Sequence, residues 1–365
     1  MRKIRVLVVD DSLVVRSLLT EAIDQDPQLE VVGSAANGRL ALDRIPKVTP
    51  DIVTLDVDMP EMDGLETLRQ IRKLKPKLPV VMFSALTERG AAVAIDALMS
   101  GASDCLGKPG DLLGTDDAVQ WLRQELLPKI KALCRGLLPT HAPALVVPVR
   151  AAVAPIPAPM PPPPRPRPVR TRPEIVAIGV STGGPQALVD LFTRLTAPLP
   201  VPVVIVQHMP PLFTKRLAES LNGLKSPNCF HEGEEAQRIE PGHAYIAPGG
   251  RHMVVRRSQT GTLLHLHDEP PENSCRPAVD VLFRSTARVF GADVLAVILT
   301  GMGMDGLRGC ETVRAVGGRI LAQDEASSVV WGMPGFVVKG GVADEVLPID
   351  QVGARIEQLA GTHAH

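Results

Sequence analysis

The stretch "IVAIGVSTGG", residues 175–184, sets five apolar residues (Ile175, Val176, Ala177, Ile178, Val180) ahead of Ser181, Thr182 and the pair Gly183-Gly184. A β-branched run of this length predicts a buried strand. The glycines predict a turn too sharp for ordinary side chains. Pro185 and the apolar positions Ala187, Leu188, Leu191, Phe192 and Leu195 predict an amphipathic helix beyond it. A hydroxyl therefore stands where a strand gives way to a helix. Gly179-Val-Ser181-Thr-Gly183 satisfies the Gly-x-Ser-x-Gly pattern of a nucleophile elbow, and the helix N-terminus would turn its partial positive charge toward whatever Ser181 attacks. The same hydroxyl also reads as a plain helix N-cap.

Two further strands bear on that choice. "VPVVIVQHM" (201–209) delivers His208 at its C-terminal end, and "DVLAVILTGMGMDG" (293–306) delivers Asp305 just past its end. A doubly wound sheet brings such strand ends to one rim, where a serine finds a base and the base an orienting acid. The other histidines read differently: His231 and His243 as loop residues, His363 and His365 as tail, His265 and His267 as alternating along an exposed strand face. The order Ser, His, Asp is not the Ser, acid, His order of α/β-hydrolases. Gly301-Met-Gly303-Met-Asp305-Gly306 also spells a dinucleotide turn, with Asp324 near the next strand end as ribose partner. That reading leaves Ser181 and His208 idle and sets a carboxylate against a pyrophosphate. The same turn equally serves as an oxyanion hole.

Upstream, residues 4–9, 31–35, 51–56, 79–84 and 102–106 are five short apolar runs separated by helical patterns. That alternation predicts a parallel sheet covered on both faces. Its strand ends carry Asp10, Asp11, Asp56, Ser84 and Lys108. Carboxylates gathered at one rim repel one another unless a divalent cation joins them. Mg²⁺ suits such an all-oxygen set, while Lys108 and Ser84 suit an added phosphoryl group.

Between the two α/β regions, Pro139 to Pro173 holds 13 prolines and five arginines with no acid. Such a segment builds no core and reads as a semi-rigid tether reaching on the order of 100 Å if extended. The expected organisation is residues 3–122, a linker over 123–173, and 174–361. A net charge of −1 gives no basic field for nucleic acid, and no helix-turn-helix pattern stands out. Apolar runs are too short for membrane insertion, and no signal peptide precedes the first strand. Five scattered cysteines without Cys-x-x-Cys spacing read as reduced thiols of a cytoplasmic protein, not as a zinc site or disulfide framework.

Residues 3–122 resemble the response-regulator receiver family through "VVDDS" (8–12), "LDVDMPEMDG" (55–64), "SA" (84–85) and "KP" (108–109). The resemblance implies a flavodoxin-like five-stranded parallel sheet. It further implies phosphorylation of Asp56 by a chemotaxis histidine kinase, and Mg²⁺ held by Asp10, Asp11, Asp56 and the backbone of Asp58. Cys105 and Leu106 stand where the family carries its switch aromatic. Residues 174–360 resemble the chemotaxis protein-glutamate methylesterases through "GVSTGG" (179–184), "VQHMP" (206–210), "AYIAPGG" (244–250), "PAVDVLF" (277–283), "LTGMGMDG" (299–306) and "AQDEASSVVWGMP" (322–334). This implies a doubly wound, mostly parallel α/β esterase domain without a cofactor of its own. Ser181 would be the nucleophile, His208 the base, Asp305 its orienter and the Met302 N–H an oxyanion donor. The implied substrates are glutamate γ-methyl esters on methyl-accepting chemotaxis receptors, with deamidation of receptor glutamine as a second activity.

Overall fold

The computed structural model describes residues 2–84, 87–108, 115–137 and 172–361. The Pro/Arg-rich tether lies outside the described residues, apart from Arg172 and Pro173. The first α/β unit alternates β1 (Ile4–Val9), α1 (Leu13–Asp24), β2 (Leu29–Ala35), α2 (Gly38–Val48), β3 (Ile52–Asp56), α3 (Gly64–Leu74), β4 (Val80–Ser84), α4 (Glu88–Met99), β5 (Asp104–Gly107) and α5 (Thr115–Leu133). Its five strands run in the order β2-β1-β3-β4-β5, all pairings parallel. Ser12, Asn37, Asp63 and Thr87 each accept a backbone N–H in the first turn of the helix that follows, so α1 to α4 are closed by their own N-caps. Residues 123–133, read from the sequence as the start of the linker, continue α5 and bury Leu126, Leu127 and Ile130.

The second unit begins with β6 (Ile175–Val180), α6 (Gly184–Phe192), β7 (Val203–Gln207), α7 (Phe213–Asn222), β8 (Cys229–Glu232) and β9 (His243–Ile246). An antiparallel hairpin of β10 (His252–Ser258) and β11 (Gly261–His267) follows, then α8 (Val279–Phe290), β12 (Val294–Ile298), α9 (Leu307–Ala315), β13 (Arg319–Gln323), α10 (Met333–Lys339), β14 (Glu345–Leu347) and α11 (Ile349–Ala360). The sheet order is β14-β13-β12-β6-β7-β9-β8, and every pairing in it is parallel. The chain leaves β6 toward β7 on one side and returns to β12 on the other. The boundary between β6 and β12 is therefore a topological switch point, where open α/β sheets bind ligands.

Two histidine expectations are corrected. His231 and His243 lie on β8 and β9, with Nε2 and Nδ1 2.8 Å apart, rather than in loops. His265 and His267 are half-buried, not on an open face. The two units share a hydrophobic cluster in which Ala91, Ala94, Ile95 and Leu98 of α4 join Leu188 of α6 and Phe213 and Leu217 of α7. No helix among the described residues is long and apolar enough to cross a membrane.

Candidate active site

Ser181 follows the last residue of β6, and its N–H donates to Thr300 O at 3.0 Å, just past β12. Gly183 adopts φ 77°, and a Cβ there would meet Val329 Cβ at 2.6 Å, so only glycine makes this turn. The turn after β12 closes on the serine: a Cβ on Gly301 would lie 2.8 Å from Ser181 Cβ. Gly183, not Ser181, is the N-cap residue of α6, and no side chain caps that helix. The N-cap reading of Ser181 therefore fails. Among the described residues the Ser181 hydroxyl has no hydrogen-bond partner, and the N–H of Met302, two residues past Thr300, makes no backbone hydrogen bond.

His208 follows β7 and is brought beside Ser181 by the parallel register Val180–Gln207. Its Nε2 lies 2.9 Å from Asp305 Oδ2. That carboxylate also accepts N–H groups from Val279 (2.7 Å), Asp280 (3.0 Å) and Gly306 (3.0 Å), and the Asn273 amide (3.0 Å). Burial pushes Asp305 up, but His208 and these donors outweigh it and hold the group below the usual carboxylate range. Because Asp305 takes the Nε2–H, the free lone pair of the neutral ring is on Nδ1. Burial pulls His208 down, yet its contacts with Asp305 and Cys275 prevail and raise it to about 9. Nδ1 faces the Cys275 thiol at 3.8 Å.

The dinucleotide reading of 301–306 fails on the same hydrogen bonds. Asp280 Oδ1 takes the N–H groups of Gly306 (3.0 Å) and Gly309 (2.6 Å), so the start of α9 is filled by a carboxylate. A phosphate would meet charge where it needs donors.

At the rim of the first sheet, Asp10, Asp11 and Asp56 offer carboxylate oxygens within 4.8 Å of one another. Lys108 Nζ reaches Asp56 at 2.7 Å and Asp10 at 3.0 Å. Burial dominates at Asp56 and, against the Lys108 hydrogen bond, pushes it up to about 6. The hard all-oxygen set and its unsatisfied like charges fit Mg²⁺. Ser84 is fully buried at the end of β4, whereas the Asp58 side chain is exposed and contributes none of the clustered oxygens.

The two sites are joined through residues whose roles the sequence did not reveal. Asp104, at the start of β5, accepts Lys129 Nζ at 2.6 Å and the hydroxyl of Thr182 at 2.7 Å. Thr182 is the neighbour of Ser181, so the first unit grips the serine turn directly. A cavity of about 330 Å³ lies between Ala132, Leu133 and Arg135 at the end of α5 and Met302, Gly303 and Trp331. Asp280 was also missed. Its one signal is an acid at a buried position of an amphipathic helix, between Val279 and Leu282. Cys275 has no sequence signal at all.

Comparison with known proteins gives a consistent result. Residues 176–356 match the CheB methylesterase family, and residues 6–119 match the response regulator receiver domain. A protein-glutamate methylesterase/protein-glutamine glutaminase of Trichodesmium erythraeum is 46% identical over 362 residues, spanning 99% of this chain and 100% of that protein. One of the same description from Nocardioides sp. is 47% identical over 360 residues, 97% of this chain and 94% of its own. The crystal structure of the Thermotoga maritima CheB methylesterase catalytic domain aligns with a TM-score of 0.50 at 39% identity, covering 52% of this chain and all of that one.

Proposed function

The chain belongs to the CheB methylesterase family, with a response regulator receiver domain ahead of the esterase domain, and from that premise we propose that Ser181, His208 and Asp305 hydrolyse glutamate γ-methyl esters on chemotaxis receptors. The observation that carries this reading is the 2.9 Å His208–Asp305 hydrogen bond at the strand ends flanking Ser181. His208 Nδ1 takes the hydroxyl proton as Ser181 Oγ bonds to the ester carbonyl carbon, and the carbonyl electrons move onto oxygen. The Met302 N–H and the uncapped start of α6 stabilise that oxyanion. Collapse expels the alkoxide, which takes the proton from His208 and leaves as methanol. Water repeats the sequence and frees the glutamate. With a receptor glutamine as substrate, ammonia leaves instead. The Ser181–His208 hydrogen bond forms as substrate seats, since such contacts tighten in the Michaelis complex.

Phosphorylation of Asp56 by a histidine kinase supplies the regulation. Asp10, Asp11, Asp56 and the Asp58 carbonyl would hold Mg²⁺, whose charge offsets that of the incoming phosphoryl group. Lys108 then pairs with the phosphoryl oxygens and Ser84 donates to them. Asp104 is the first residue of β5 and Lys108 follows its last, so a shift of that strand loosens the grip on Thr182. The docked receiver roofs the oxyanion turn, and release opens it. The domain limits fitting this scheme are a receiver over 3–122, with α5 reaching 133, and an esterase domain over 174–361. Methanol release from methylated receptor tests the chemistry. Wild type should release it and Ser181→Ala should not; near-wild-type turnover by that variant sinks the triad.

A further inference from the structure

Cys275 is built into the site more firmly than a chance surface thiol would be. It lies in the segment between β11 and α8, where Asn273 and Ser274 both adopt left-handed backbone (φ 52° and 62°), which non-glycine residues rarely take. Glu272 and Cys275 exchange backbone hydrogen bonds of 3.1 and 2.9 Å. Arg284 of α8 clamps Glu272 with two bonds of 2.7 and 2.6 Å. Buried His252 ties the segment at two further points, donating from Nε2 to Pro270 O (3.1 Å) and accepting the Ala278 N–H (3.2 Å) at Nδ1. The thiol is thereby held 3.8 Å from His208 Nδ1.

That separation has a chemical meaning. A tetrahedral zinc ion with bonds of about 2.0–2.1 Å to nitrogen and about 2.3 Å to sulfur sets its two ligand atoms about 3.6 Å apart. His208 Nδ1 and Cys275 Sγ already stand near that spacing. The other ring nitrogen, Nε2, donates to Asp305, which is the carboxylate–histidine–metal arrangement that orients a ligating imidazole. His208, Cys275 and Asp305 form one of two clusters of metal-ligating side chains among the described residues, and the other is the receiver's acidic set. Only the esterase cluster offers a soft ligand.

We propose that His208 and Cys275 form an inhibitory binding site for a thiophilic divalent cation, Zn²⁺ above all, with Asp305 bracing the imidazole from behind. On ligation the Cys275 thiol and, where the ring is protonated, His208 Nδ1 give their protons to solvent, and water fills the remaining positions. The ion occupies the Nδ1 lone pair that would accept the Ser181 proton, so binding and ester hydrolysis exclude each other. The binding claim stands on the geometry alone, whereas the inhibition rests on the esterase reading.

The test titrates the full-length protein with Co²⁺ as a spectroscopic stand-in for Zn²⁺. One equivalent should produce a thiolate-to-cobalt charge-transfer band, absent in Cys275→Ser and Cys275→Ala but kept in Cys229→Ser, whose thiol is exposed on β8. Zn²⁺ should displace that band and suppress methanol release over the same concentration range. Cys275→Ser should need at least ten times more Zn²⁺ for the same suppression. A band that survives in both Cys275 variants, or equal Zn²⁺ sensitivity of wild type and Cys275→Ser, overturns the proposal. The band is read without substrate, so its outcome is separate from failure of the esterase reading.

Discussion

Asp56 and Asp305 are both buried carboxylates, each 2% exposed at the C-terminal edge of a parallel sheet, yet their chemistry points in opposite directions. Asp305 collects three backbone N–H groups, an amide and an imidazole, and is held below the usual carboxylate range. Asp56 is pushed up to about 6 by burial, with like-charged Asp10 adding to it against the Lys108 ammonium. The first is a fixed anion that needs nothing more. The second is short of positive charge, and a bound cation would complete it. At Asp305 a helix terminus contributes to the difference. In the receiver, α1 to α4 use up N–H groups on their own cap side chains. In the esterase domain α6, α8 and α9 carry no such caps, and the first N–H groups of α8 are spent on Asp305.

The largest effect expected from this contrast is at the nucleophile. Ser181→Ala should lower ester hydrolysis by on the order of 10³-fold or more, and adding His208→Ala should cost little further because the residues act as a unit. Independent, multiplying losses in the double variant would show that they do not share one step. Asp305→Asn should do no more damage than loss of the nucleophile, up to about 10⁴-fold, because it disturbs the orientation of His208 and leaves Ser181 in place. The remaining amide oxygen can still accept the Asp280 and Gly306 N–H groups and the Asn273 amide, so circular dichroism of this variant should stay that of wild type. Loss of fold would recast Asp305 as chiefly structural.

A smaller effect follows from His208 itself, which faces Asp305 from the turn after β12 and Cys275 from the segment before α8. The ring works as a base only when neutral. With its pKa raised to about 9, the neutral fraction grows as pH rises and is small at pH 7. For the unphosphorylated protein kcat/KM should therefore climb by roughly tenfold or more between pH 7 and 9. A profile already flat from pH 7 would mean that the ring is not held protonated at rest. Smaller again is the interdomain hydrogen bond. Asp104→Ala removes a charged acceptor worth about 1.5 kcal/mol, so basal turnover should rise by up to roughly tenfold. Lower basal turnover would give the docked receiver the opposite sign.

How far the sequence carried differs between these regions for physical reasons. The five strands of the first sheet and β6, β7, β12 and β13 of the second are readable because buried parallel strands are continuous apolar runs, several with a polar residue at the end. Ser181, His208 and Asp305 all sit there, as do Asp10, Asp56 and Lys108. Helix α5 was cut short at residue 122, and Pro128 inside it breaks the local helical pattern that packing of Leu126 and Ile130 sustains. His231 and His243 look like loop residues because their strands are only four residues long, too short for a period to show. Asp104 and Thr182 lie 78 residues apart and meet across the two units, so no local spacing announces them. Cys275 is placed by two left-handed residues that are not glycine, a conformation that composition does not betray.

The central claim is that a charge change at Asp56 opens a preformed esterase site. It is tested most directly by methanol release from methylated receptor, with and without a small phosphodonor and Mg²⁺, in wild type and Asp56→Asn. Turnover should rise with the phosphodonor in wild type, and Asp56→Asn should keep basal turnover and lose the rise. Unchanged or lower turnover in phosphorylated wild type, or an equal rise in Asp56→Asn, would contradict it.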